Sequence, residues 1–121
     1  MKDFLLALIS QKWLFRALFI IFIVIIEYLA TTTRAIPALE NTWDKANHAF
    51  AFFALYDALS LGFGLRFSRE FLILLVFGLQ IEIVQSFIPN RDFSLLDVCA
   101  DCVGIFIGFY FLKYFRKFLN A

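Results

Sequence analysis

The chain is poor in the residues that mark most catalytic and binding classes. It has two cysteines and one histidine in 121 residues, which leaves too few ligands for a paired Cys/His structural zinc site. Cys99 and Cys102, three apart in an apolar stretch, read as small packing residues. Charge is scarce as well: Asp, Glu, Lys and Arg make up 17% of the chain and the net charge is +1. No basic surface therefore points to nucleic acid, and no nucleic-acid-binding motif is present. A glycine-rich phosphate loop is missing, as are the internal repeats typical of transporters. The first apolar run contains Glu27 and has no small-x-small cleavage site before Thr31, so it reads as a retained helix rather than a secretory signal.

What is abundant is apolar. Hydrophobic residues make up 63%, aromatics 20%, and phenylalanine alone occurs 18 times, against roughly 45–50% apolar residues in soluble domains. A small core cannot enclose that much apolar surface, and lipid can cover it. The expected fold is all-α: a single domain over 1–121, an integral membrane bundle of four transmembrane helices with short loops. The spans fall at approximately 13–30, 45–63, 71–88 and 94–112, each near the roughly 20 residues that cross a hydrocarbon core. Residues 2–12 either lie in the interface or extend the first helix. Lys2, Lys12, Arg16, Arg66, Arg69, Lys113, Arg116 and Lys117 fall on one side of this topology, and Arg34, Lys45 and Arg91 on the other. That bias places both termini in the cytoplasm, with Trp13, Trp43 and Tyr114 at the interfaces.

On this topology the polar residues gather near the outward ends of the helices. Asp44, Lys45, Asn47 and His48 open the second helix. Glu82 and Gln85, three apart, share a face of the third, and Arg91, Asp92 and Ser94 form the turn into the fourth. Asp97, Asp101, Gly104 and Gly108 follow a 4-3-4 spacing on one face of the fourth helix. Gly104 and Gly108 form a GxxxG pair, which reads either as a close packing face or as a generic dimer face. Ionisable residues in apolar helices usually face the bundle or a wet cavity, and one cavity can hold nearly all of these. Asp44 and Asp92 also have a plainer reading, as charges favoured at helix N-termini. Asp57 lies deeper and reads first as a neutral packing acid.

The segments "DKANH" (Asp44 to His48), "EIVQ" (Glu82 to Gln85) and "RDFSLLDVCADCVGIFIG" (Arg91 to Gly108) resemble the VanZ-like family of small bacterial membrane proteins. Asp44, Lys45, His48, Glu82, Gln85, Arg91, Ser94, Asp97, Gly104 and Gly108 match the family pattern, while Asp101 stands where the family usually has Asn. The resemblance implies a multi-pass protein of the bacterial inner (cytoplasmic) membrane, with a cell-envelope role related to susceptibility to the glycopeptide teicoplanin. The expected function is an outward-facing pocket that binds or modifies an anionic envelope substrate, a lipid-linked phosphate or a peptidoglycan precursor. In it His48 and Glu82 are the candidate catalytic acid and base. Asp44, Lys45, Gln85, Arg91, Ser94, Asp97 and Asp101 bind substrate, and Gly104 and Gly108 pack the helices. Asp97 and Asp101 can position Arg91 or ligate a divalent cation such as Mg²⁺. The alternative is noncatalytic: a transporter subunit, lipid-binding module or assembly partner with a proton-sensitive charge network.

Overall fold

The computed structural model describes residues 1–32, 44–89 and 92–121, with the side chain of Asp44 excepted. Within these residues the chain is all-helical. Helix α1 spans Lys2–Ile9, α2 Lys12–Thr31, α3 Asp44–Phe63, α4 Phe67–Gln85 and α5 Leu95–Leu119. The N-terminal segment is thus a helix of its own, separated from α2 by Ser10 and Gln11.

Helices α2 to α5 run alternately up and down. Arg16, early in α2, donates from Nε to the Gly62 carbonyl near the end of α3 at 2.8 Å. At the far end of α2 the Ala30 carbonyl accepts from Gln85 Nε2 at 2.8 Å, and Glu27 Oε1 accepts from Gln80 Nε2 at 2.8 Å. One end of the molecule therefore gathers the ends of α2 and α4 with the starts of α3 and α5. The opposite end gathers the remaining termini, with α1 beside α5 through Lys2 stacked over Phe118 at 4.5 Å. The α3–α4 reversal is tight because Gly64 adopts φ +60°, a left-handed conformation open to glycine. Its N–H closes on the Ser60 carbonyl at 2.9 Å.

The core is built on α3. Phe52, Leu55, Tyr56 and Leu59 pack with Leu74 and Ile81 of α4 and with Ile105 and Leu112 of α5. Helix α2 buries no residue fully. Its Ile20, Ile21, Val24 and Ile25 remain exposed, as do Val103, Phe106 and Ile107 of α5. Apolar faces this extensive call for an apolar neighbour.

The expectation of four transmembrane helices is corrected here. Among the described residues two helices, Lys12–Thr31 and Leu95–Leu119, are long and apolar enough to cross a membrane. The reason lies in the other two. Helix α3 dilutes its apolar run with Lys45, Asn47, His48 and Asp57, and α4 carries Arg69, Glu70 and Glu82 as well as Gln80. The placement of both termini in the cytoplasm rested on four alternating spans and falls with them. Boundaries differ too: the fourth predicted segment continues to Leu119, and the third begins at Phe67 and stops at Gln85.

Candidate functional site

The polar residues of three helices meet where α3 and α5 begin and α4 ends. Helix α5 starts here because Ser94 caps it, its hydroxyl accepting the Asp97 N–H at 3.3 Å. That cap turns the Ser94 N–H outward from the helix, and it donates to Glu82 Oε1 at 3.0 Å. One serine thus ties the helix start to the glutamate. Asp97 and Asp101, one turn apart on α5, face Lys45 and His48, three apart on α3. Lys45 Nζ pairs with Asp97 Oδ1. His48 Nδ1 lies 2.9 Å from Asp101 Oδ1, and Nε2 lies 3.6 Å from Asp97 Oδ2.

These contacts depend on the close approach of α3 and α5. A Cβ at Gly104 would stand 2.1 Å from the Ala49 carbonyl oxygen, so the two backbones touch there. Ala49 follows His48 directly, and Gly104 lies one turn beyond Asp101. The glycine therefore sets the distance across which the histidine and aspartate meet. Gly108 repeats the approach further along, where a Cβ would lie 2.9 Å from Tyr56 Cδ1. On the α4 side, a Cβ at Gly78 would stand 2.7 Å from Asp101 Oδ2.

The site is largely buried and acidic. Glu82 is 0% exposed and Asp101 1%, and Glu82 Oε2 is buried without a hydrogen-bond partner. Burial pushes the Glu82 carboxyl above the usual carboxylate range; the Ser94 N–H draws it back, while Asp97 adds to the rise. His48, Glu82 and Asp97 each offer a ligand atom, and these atoms lie within 4.8 Å of one another. Three acids therefore surround one histidine and one lysine. That balance favours a cationic occupant or shared protons over an unaccompanied anion.

Of the site residues read from the sequence, the structure gathers Lys45, His48, Glu82, Ser94, Asp97 and Asp101. Gln85 points elsewhere, to the Ala30 carbonyl. The sequence-based site also includes Arg91, which lies outside the described residues, as does the side chain of Asp44. Gly104 and Gly108 pack α5 on α3. Asp57 is apart from the pocket, beside Gly108, with Oδ1 buried and unpartnered. The sequence reading missed a second polar group at the opposite end. There Tyr56 donates to Glu70 Oε1 at 3.0 Å, and Ser60 is buried nearby. The available signal was the spacing of Tyr56 and Ser60, four apart on one face of α3.

Comparison with known proteins yields one informative relative. Over 93 residues the chain is 39% identical to an uncharacterized protein of the fission yeast Schizosaccharomyces pombe; the match takes in 73% of this chain and 56% of that protein. The chain thus spans little more than half the length of the relative it matches. No family model matches, and no solved structure matches. The expected location, a multi-pass protein of the bacterial inner membrane, is corrected on two grounds: the relative is eukaryotic, and the described residues offer two candidate spans.

Proposed function

We propose that the pocket is an acid–base centre that binds and modifies an anionic, lipid-linked phosphate. The supporting observation is Glu82: a fully buried carboxylate with Oε2 unpartnered, in the same pocket as a histidine whose ring is fixed by Asp101. Groups held in this way transfer a proton without first reorganising. His48 and Glu82 serve as the acid and base, Lys45 offers a point charge to a phosphate oxygen, and Ser94 holds Glu82 in place. The resemblance to VanZ-like proteins favours the same residues. The exposed apolar faces of α2 and α5 favour a lipid-linked substrate over a small soluble one.

The test uses the full chain purified in detergent, with a polyprenyl diphosphate as probe and inorganic phosphate release as the measurement. In this reaction water attacks the terminal phosphorus, the bridging P–O bond breaks, and polyprenyl monophosphate and phosphate result. His48→Ala and Glu82→Gln are expected to lower turnover about a hundredfold or more, the usual scale for a lost acid or base. Turnover that survives both substitutions would sink the reading. A noncatalytic role, as transporter subunit, lipid-binding module or assembly partner, is favoured by one observation: the polar side chains Glu27, Gln80 and Gln85 also join α4 to α2 outside the pocket, as a structural network would. Flux of labelled substrate across proteoliposomes without chemical turnover would decide for it.

A further inference from the structure

The end of the bundle away from the pocket is basic. It gathers the start of α1 and α2, the α3–α4 reversal and the end of α5, and its lysines and arginines, from Lys2 and Lys12 to Arg116 and Lys117, are all exposed. Among the described residues none of them forms an ion pair. The acids at this end are Asp3, in the first turn of α1, and Glu70, which is buried. The outer face of α5 leads into the same end. There Val103, Phe106, Ile107, Tyr110, Phe111 and Tyr114 line an almost wholly apolar groove of about 590 Å³ that reaches Phe115. From Val103 to Phe115 it runs about 18 Å along the helix, close to the roughly 15 Å depth of one hydrocarbon leaflet. Lys113 and Lys117, three and seven residues beyond Tyr110, share the edge of that face. Lys113 Nζ lies 6.0 Å from the Tyr114 ring centre, and Lys2 reaches in from α1 over the Phe118 ring at 4.5 Å. The apolar trough therefore ends among three cations.

We propose that this groove binds one acyl chain of an anionic phospholipid, whose phosphate lies among Lys2, Lys113 and Lys117. The surface asks for a hydrocarbon tail and an anionic head on one molecule, and such a lipid supplies both. The chain removes the aromatic and aliphatic lining from water. Tyr110 and Tyr114, both exposed, offer a ring to the chain and a hydroxyl to the headgroup layer, the depth at which amphipathic aromatics are favoured. The lysine stems lie along apolar surface while their ammonium groups reach the phosphate. Charge complementarity sets the choice of head. A zwitterionic lipid carries its own cation beside the phosphate and gains little from three lysines, whereas a net negative head has no internal competitor. A second copy of the chain fits less well. A two-fold contact with parallel α5 helices sets Lys113 and Lys117 against their own copies, and an antiparallel one carries them toward Val103 and Cys99, neither of which offers an anion. The inference goes beyond the acid–base reading and uses none of its residues, since the groove ends at the opposite end of the molecule from His48 and Glu82.

The experiment measures lipid binding to the full chain in detergent by native mass spectrometry. Dioleoyl phosphatidylglycerol is the anionic probe, and dioleoyl phosphatidylcholine, with the same chains, the neutral one. One phosphatidylglycerol per chain is expected, held about tenfold or more tighter than phosphatidylcholine. Lys113→Gln combined with Lys117→Gln is expected to weaken phosphatidylglycerol about 25-fold, about fivefold for each lysine, and to leave phosphatidylcholine as it was. Arg66→Gln combined with Arg69→Gln, at the same end but away from α5, leaves the affinity little changed. Helical content by circular dichroism stays the same in both double variants. Phosphatidylglycerol brominated on its acyl chains quenches a tryptophan placed in the groove, Ile107→Trp, along the same binding curve, and quenches Ile21→Trp on the exposed face of α2 far less. Inorganic phosphate in large excess does not displace the lipid. Equal affinity for the two lipids overturns the inference, as does a preference that survives loss of Lys113 and Lys117 or disappears equally with Arg66 and Arg69. Displacement by inorganic phosphate overturns it in favour of a free-anion site, and a dimer that excludes lipid assigns the groove to a second copy. Phosphate release by the pocket is measured separately and stands or falls on its own.

Discussion

Helix α4 carries a buried glutamate near each end, and the two make a controlled comparison. Glu70 and Glu82 are 1% and 0% exposed, and lie about 18 Å apart along the axis. Each has one oxygen engaged, Glu70 by the Tyr56 hydroxyl and Glu82 by the Ser94 N–H, and one oxygen without a partner. Their surroundings differ. Burial pushes the Glu70 carboxyl up, with the Tyr56 and Ser60 hydroxyls and Arg116 drawing it back. A single proton makes that site neutral and content. Glu82 lies instead among other titratable groups, beside Asp97 and His48 and near Asp101. Burial of a carboxylate alone therefore does not mark a functional site.

The comparison extends to the glycines that bring α5 onto α3, and the largest effect is expected there. Gly104→Ala sets a methyl against the rigid Ala49 backbone and should cost about 3 kcal/mol, the upper part of the usual overpacking range. Gly108→Ala meets Tyr56 Cδ1 at 2.9 Å, a milder overlap than the 2.1 Å at Ala49, and should cost about 1 kcal/mol. Thermal unfolding in detergent compares the two; equal losses would mean that the two contacts are equally rigid. Next in size is Tyr56→Phe. It deprives Glu70 of its hydroxyl donor in a buried setting and should cost about 1–3 kcal/mol.

A pH-dependent effect concerns Asp57, whose carboxyl burial raises to about 7. In the unfolded chain an aspartate titrates near 3.9, so the folded state holds the proton more tightly. The associated stability is fully present below about pH 4 and is lost as pH rises through about 7. Unfolding followed between these limits should show that decline, and Asp57→Asn should flatten it. A decline unchanged in Asp57→Asn would assign it to another group.

Much of the site was legible in the sequence, and the reasons are local. The 4-3-4 spacing of Asp97, Asp101, Gly104 and Gly108 fixes a common face whatever surrounds the helix. The helical class and the bounds of α2 followed from one long apolar run. What failed depended on tertiary context. Helices α3 and α4 were read as spans from length, yet many of their polar residues meet partners on neighbouring helices, Lys45 and His48 on α5 and Gln80 and Gln85 on α2. Glu70 fell in the connection ahead of the third expected span at 71–88, although α4 begins at Phe67. Gln85 lies one turn from Glu82 on the same face, but the Ala30 carbonyl at the end of α2 claims it. No periodicity within α4 encodes that neighbour.

The contact between Gly104 and Ala49 also limits how the pocket can be redesigned. Backbones that already touch cannot be brought closer, and any larger side chain drives them apart, so the α3–α5 spacing has no adjustable range. Helix α4 reaches the same pocket through a side chain, that of Glu82, held by the Ser94 N–H of the α5 cap. If the proposed function holds, altered substrate preference is therefore best sought by varying α4 around Glu82, with the α3–α5 pair kept as a fixed jig.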